Sequence, residues 1–216
     1  MASKITQAMS NPFAEIAFTE SVKQVQEHCG TRRANERIEN IHRLNELTNN
    51  EALFISQRDG FYLATVNENG HPYVQFRGGP KGFLKVLDEK TLGYADFRGN
   101  LQYISVGNLA KNHKAAPFLM DYPNQTRLKI FAEIEVIDAA DDPALIERLT
   151  MPDFEAKIER SMILNVEAYD WNCPQHITPR FTLKEIEPGT KPLRDRVAEL
   201  EAEIEALKIA KTRPGV

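Results

Sequence analysis

Residues 95–137, ADFRGNLQYISVGNLAKNHKAAPFLMDYPNQTRLKIFAEIEVI, decide the fold. They read as two strand-like runs joined by a basic, Gly/Asn-rich bend and a short helix. Arg98, Gly99 and Asn100 follow directly on the apolar-containing run Leu92 to Phe97. A strand that stops there and opens into a helix presents free backbone N–H groups beside an arginine, the chemistry that suits a phosphate ester. The same tripeptide also serves as a plain turn, because Gly and Asn supply the backbone angles turns need. In the run Arg127 to Ile137, Arg127 and Lys129 stand two apart, so on a strand they share one face. Basic side chains in that position also simply face solvent.

Working outward, the chain of 216 residues is long enough for one large or two small domains with a sizeable core. With 42% hydrophobic and 27% charged residues it has the balance of an ordinary globular protein. A net charge of −4 and a pI near 5.8 give no overall basic field, so sequence-independent nucleic-acid binding is not expected. No apolar run approaches membrane-spanning length, and the polar start Met-Ala-Ser-Lys-Ile-Thr-Gln lacks the apolar core of a leader peptide. A cytoplasmic protein without membrane partners is expected. The two cysteines, Cys29 and Cys173, are far apart and define no disulfide framework.

From Asn11 to Thr48 the pattern reads as two helices, with Phe13, Ile16, Ala17, Val22 and Val25 near helical spacing and Gly30 as punctuation. Ile38, Ile41, Leu44 and Leu47 continue a narrow apolar face. Strand signals begin at Ala52, first in Phe54 to Ser56 and then in Phe61 to Val66. Asn69-Gly70 marks a hairpin to a partner strand over His71 to Phe76, where Pro72 suggests a first residue or an edge. Beyond the Gly-rich loop Arg77 to Gly82, further strands are expected over Phe83 to Leu87 and Leu92 to Phe97. Asp142 and Pro143 begin a short helix as N-cap and first residue. Ser161 to Ala168 alternates as a strand, Tyr169 to Arg180 is irregular, Phe181 to Ile186 resumes strand character, and Pro188-Gly189 closes the domain.

The last helix, Leu193 to Ala210, is a different object. Leu193, Val197, Leu200, Ile204 and Leu207 are spaced by four, three, four and three, drawing one apolar seam down a charged rod. Such a helix either lies on its own domain or pairs with another subunit; about two heptads is too short for a stable coiled coil alone.

The strand order, Arg98-Gly99-Asn100, Gly107-Asn108-Leu109, Asp121-Tyr122 and Arg127-Leu128-Lys129-Ile130 together resemble the pyridoxamine 5′-phosphate oxidase-related, FMN-binding split-barrel family. The segment Tyr169-Asp-Trp-Asn-Cys-Pro-Gln-His-Ile is similar to that of its uncharacterised flavin-binding members. The resemblance runs from about Asn50 to Glu187. It implies a mainly β fold with flanking helices (α+β), with a six-stranded antiparallel split β-barrel at 50–188; the residue patterns on either side add a helical layer at 1–49 and an amphipathic helix at 189–216. It implies a homodimer with FMN in the grooves between subunits. Arg98, Asn100, Gln102 and Tyr103 would then lie near the FMN phosphate with Lys85, while Gln75 and Arg77 border the ring or ribityl chain. Arg127 and Lys129, from the same or the partner subunit, would close the groove, and Trp171 and His176 would cover the flavin face. The resemblance also implies an oxidoreductase that passes electrons from a reduced nicotinamide or similar small donor through FMN to a small organic acceptor. The alternative is a flavin- or haem-binding module without turnover. Where the true oxidases carry an arginine-rich end that holds the substrate phosphate, this chain runs into Lys184-Glu-Ile-Glu-Pro-Gly and the charged helix, so vitamin B6 oxidation is not the expected activity.

Smaller signals have simpler explanations. Cys173-x-x-His176 has a spacing metals use, but two ligands do not close a zinc site, and no metal is expected. No nucleophile or acid–base pair is legible, as suits a protein whose cofactor carries the chemistry. His71 and His113 read as surface or strand-edge residues.

Overall fold

The computed structural model describes residues 11–41, 45–171 and 174–212. The amino-terminal heptapeptide, Leu44 and Cys173 lie outside them. The chain divides into two compact units, one of residues 1–121 and 126–175 and one of residues 122–125 and 176–216.

The first unit is built on an antiparallel sheet of strands β1 (Gly60–Val66), β2 (Pro72–Gly78), β3 (Lys85–Val86), β4 (Thr91–Phe97), β5 (Lys114–Asp121), β6 (Thr126–Asp138) and β7 (Ile158–Trp171). Their order is β2-β1-β5-β6-β7-β4-β3. The architecture is the mainly β one expected, but with seven strands instead of six, and β3 has shrunk to two residues of the expected Phe83 to Leu87. The strand absent from the sequence reading is β5. Its Lys-Ala-Ala-Pro-Phe-Leu-Met-Asp lacks the β-branched residues that mark strands, and its proline argues against a central one. The ladder accommodates that proline. The β5–β6 pairing runs Lys114↔Glu133 and Ala115↔Ala132, then resumes at Phe118↔Lys129, skipping the position that has no N–H to donate.

Alternation along the strands sorts side chains to two faces. Phe61, Leu63 and Thr65 of β1 are buried inward, where Phe61 stacks on Phe83 with ring centroids 5.8 Å apart and meets Tyr94 edge-on at 5.4 Å. Leu92, Leu119, Leu128, Ile130, Ile134, Met162 and Leu164 complete this core. Contacts between β1 and β4, which are not neighbours in the sheet, mean that the sheet is rolled until its ends face each other. Outside β4 lies α6 (Pro143–Leu149), capped as expected by Asp142, which accepts from the Leu145 N–H at 2.9 Å. Gly93 permits this packing, since a Cβ there would stand 2.9 Å from a Leu149 methyl.

Two helices stood in place of expected strands, for one reason. Phe54 to Ser56 belongs to α4 (Asn49–Ser56), and Phe181 to Ile186 runs into α7 (Leu183–Thr212). Each starts with a capping box. Glu51 accepts from the Thr48 N–H at 2.9 Å, and Glu185 accepts from the Thr182 N–H at 2.8 Å while its own N–H returns to Thr182 Oγ1 at 3.3 Å. Two orphan amides satisfied at each start outweigh a short alternating pattern. Pro188-Gly189 accordingly lies inside α7. Among the described residues between Asn11 and Thr48, the expected two helices are three, α1 (Pro12–Ala17), α2 (Glu20–His28) and α3 (Arg32–Glu39), and Asn11 and Thr19 cap the first two. The short helix expected after the Gly/Asn-rich bend is α5 (Ile104–Leu109). No helix among the described residues is long and apolar enough to cross a membrane.

In the second unit, Gln125 donates to the Ile177 carbonyl at 2.6 Å and the Arg180 guanidinium lies 4.9 Å from the Tyr122 ring centroid. The unit continues into α7.

Trp171 closes α4 onto the sheet by donating its indole N–H to Glu51 at 2.7 Å and meeting Phe54 edge-on at 4.8 Å. Burial works to raise the Glu51 pKa, but hydrogen bonds from Thr48 and Trp171 outweigh it and hold the carboxyl below its usual range. A depressed folded-state pKa adds stability above the unfolded value of about 4.3, and that stability is lost as the pH falls through the folded value. Replacing Trp171 by Phe is expected to cost about 2 kcal/mol in urea denaturation at pH 7. The gap to the unaltered chain should narrow as the pH falls through the carboxylate range.

Candidate functional site

The inward face of β2 carries Tyr73, Gln75 and Arg77, opposite Thr65, Leu63 and Phe61 of β1. As an edge strand, β2 has no neighbour beyond these side chains, and they open into a polar groove. Its other walls are the end of β4 at Asp96 and Phe97, the loop Gly99 to Tyr103, the start of α5 at Ser105, and Glu159 and Arg160 of β7.

A bulge brings the last two residues to the same place. Asp96 pairs with Arg160 but Phe97 pairs with Ile158, so Glu159 is an extra residue on β7. Successive strand side chains normally point to opposite faces; the bulge re-aims them, and both line the groove.

At the centre is Asp96, buried to 4% exposure, with one carboxylate oxygen 2.8 Å from Arg77 Nη1 and the other 2.9 Å from Arg160 Nη1. Burial works to lower the Arg160 pKa, but the Asp96 hydrogen bond and the neighbouring carboxylates outweigh it and hold the guanidinium charged. Arg160 also contacts Glu159 at 3.3 Å and stacks 5.0 Å from the Tyr103 ring centroid. Glu159 in turn accepts from the Tyr103 hydroxyl at 3.2 Å and lies 3.6 Å from Arg98 Nε. Three guanidiniums, of Arg77, Arg98 and Arg160, stand among three carboxylates, since the exposed Asp138 also lies 3.8 Å from Arg160 Nε beside Asp96 and Glu159.

Neutral groups fill the rest. Ser105 donates to Gln75 Oε1 at 2.9 Å, which leaves the Gln75 amide N–H₂ as its donating end. Asn100 accepts from the Gln102 N–H at 3.2 Å and donates to its side chain at 3.1 Å. Leu101 and Tyr103 both hold positive φ, 65° and 50°, a conformation that costs a side-chain-bearing residue energy. The Arg77 Nε is buried without a hydrogen-bond partner, a donor at the groove left over by the protein itself. Behind it, burial pushes the Tyr94 hydroxyl far above the ordinary phenol range, against the opposing effect of Arg77.

Of the residues singled out from the sequence, Gln75, Arg77, Asn100, Gln102 and Tyr103 are together in this groove, and Arg98 reaches its rim through Glu159. The others stand elsewhere. Lys85 on β3 donates to the carbonyls of Arg148 and Thr150 at 2.7 and 3.1 Å, where it caps the end of α6. Lys129 pairs with Asp170 at 3.2 Å and lies 4.6 Å from the Phe13 ring centroid, and the Arg127 guanidinium is 6.0 Å from that of Phe118. Trp171 is engaged with Glu51, and His176 is an exposed residue of the second unit with φ 65°. Sequence reading missed Asp96, Ser105, Glu159 and Arg160. Asp96 did leave a signal, a lone carboxylate inside the apolar strand Thr-Leu-Gly-Tyr-Ala-Asp-Phe, since an acid in such a place is buried only when paired. Glu159 and Arg160 left none, because a bulge has no sequence mark of its own.

Replacing Asp96 by Ala leaves two guanidiniums facing each other in a buried site. A loss of about 3–5 kcal/mol in chemical denaturation is expected.

Comparison with known proteins adds to this geometry. The family model described as pyridoxamine 5′-phosphate oxidase matches residues 47–171. Among solved structures, a candidate pyridoxamine 5′-phosphate oxidase of Lactobacillus delbrueckii aligns at 24% identity with a TM-score of 0.46, covering 59% of this chain and 95% of that one. An FMN-binding protein of Syntrophomonas wolfei aligns at 14% identity and 0.46, over 71% and 96% of the two chains. HupZ of Group A Streptococcus aligns at 16% identity and 0.44, over 62% and 99%. No curated protein matches.

Proposed function

Because the chain belongs to the pyridoxamine 5′-phosphate oxidase family, we propose that it is an FMN-binding oxidoreductase whose groove beside Asp96 holds the charged end of the flavin nucleotide. The observation that carries this reading is the buried Arg77 Nε, which has no hydrogen-bond partner and stands in a groove that also gathers Gln75, Asn100, Gln102, Tyr103 and Arg160. A phosphate dianion with a polar ribityl chain calls for cations, amides and hydroxyls in one place. Arg77 with Arg98 supplies the cations, Gln75, Asn100 and Gln102 the amides, and Tyr103 and Ser105 the hydroxyls. Held there, the flavin would supply the redox chemistry between a reduced nicotinamide or similar donor and a small organic acceptor. The protein's part is to hold and orient it, with Asp96 keeping Arg77 and Arg160 in place.

The flat ring needs an apolar wall, and this leads to a dimer. On the outward face of β2, β1, β5 and β6, Tyr62, Val74, Phe76, Ala116, Phe118 and Phe131 form an almost wholly apolar surface, with Val74 and Phe76 59% and 58% exposed. A continuous apolar sheet face of this kind marks a contact surface. Two copies joined there would bring Arg127, Lys129, Trp171 and His176 to the groove from the partner or not at all, and their part in flavin binding rests on that pairing. In this scheme residues 1–49 form a helical layer, 50–188 the flavin domain and 189–216 an appended helix. The exposed free thiol of Cys29 suits the reducing cytoplasm we assign to the protein.

Freshly purified protein is expected to be yellow with a flavin spectrum, and anaerobic titration with both reduced nicotinamides should bleach it. A flavin that no nicotinamide reduces would make the protein a carrier; a colourless protein that takes up no FMN would end the proposal. Replacing Arg77 by Gln should weaken FMN binding about 10- to 100-fold in a fluorescence titration, as loss of a charge-assisted hydrogen bond predicts. Replacing Phe76 by Glu should turn a dimer into a monomer by light scattering.

A further inference from the structure

Helix α7 carries an uncovered seam whose residue choice is specific. Beyond Pro192, the last proline in α7, Leu193, Val197, Leu200, Ile204 and Leu207 run down one side, all between 40% and 69% exposed. Their spacing sets a heptad register with β-branched Val197 and Ile204 at one core position and Leu193, Leu200 and Leu207 at the other. In parallel coiled coils that division favours two strands over three or four.

The flanking charges agree with self-pairing. In a parallel pair, the residue just before each β-branched core position faces the residue five places later on the other helix. That sets Arg196 against Glu201 of a second copy and Glu203 against Lys208 of a second copy, opposite charges both times. In the single chain Arg196 instead contacts Glu199 at 2.8 Å and Lys208 contacts Glu205 at 3.5 Å on the same helix. Exposed pairs of this kind are weak and exchange easily.

We propose that α7 is a self-recognition element that pairs in parallel with α7 of a second copy of this chain. A seam this short pairs weakly when free and strongly when its two copies are tethered. Joining of the sheet faces supplies that tether, and to this extent the inference rests on the dimer proposed above.

The test uses the full chain with Cys29→Ser and Cys173→Ser, and one new cysteine placed by Leu207→Cys in the seam or by Ala202→Cys on the outer side. Under mild oxidation the seam variant should form covalent dimer at least tenfold faster, and adding Val197→Asp and Ile204→Asp should abolish the difference. Equal rates at positions 207 and 202 would overturn the parallel pairing, whatever the mass or flavin content. An antiparallel pair would give the same result, since it carries the two copies of residue 207 to opposite ends. Fast crosslinking at position 207, together with a monomeric mass once Val197→Asp and Ile204→Asp are present, would remove the sheet-face dimer and leave the helix pair standing.

Discussion

One buried carboxylate ties the ends of the sheet together. Asp96 on β4 is gripped by Arg77 from β2 on one side and by Arg160 from β7 on the other. Since β2 is one edge of the sheet and β4 lies next to the opposite edge, the Arg77 contact spans the gap where the rolled sheet fails to close. Such clusters are weak evidence for net stability, because stripping water from three charges costs about as much as their attraction returns. What the cluster supplies is position. Arg77 is held at the groove with one donor unused, and Arg160 is stacked where it pins Tyr103 and, through Glu159, Arg98.

The two faces of β2 divide the work. Inward it carries Tyr73, Gln75 and Arg77, of which Gln75 meets Ser105 of α5 and Arg77 meets Asp96 of β4. Outward, Val74 and Phe76 are apolar and exposed. Period-two alternation thus sets an arginine-lined groove and an exposed apolar surface back to back on a single strand.

The sequence by itself determined the elements whose causes are local. The hairpin through Asn69-Gly70, the edge position of Pro72, the Asp142-Pro143 helix start and the seam of α7 all follow from a few neighbouring residues, and so they were legible. Thr48 with Glu51 and Thr182 with Glu185 were equally local, and their capping boxes were readable signals that alternation obscured. Five of the groove's residues were also named in advance through the family resemblance, Gln75 and Arg77 on β2 and Asn100, Gln102 and Tyr103 after β4.

Only the tertiary structure decided the rest, because its causes are contacts between distant segments. β5 is a strand despite its proline because β1 and β6 pair with it on either side and the ladder skips the missing N–H. Asp96 meets Arg77 and Arg160 because the sheet rolls, and Glu159 enters the groove because β7 bulges at one residue. Lys85, by the same logic, is taken up by the end of α6, and Trp171 by Glu51. A side chain's type is written in the sequence; the partner that satisfies it is chosen by which surfaces the folded sheet brings within reach.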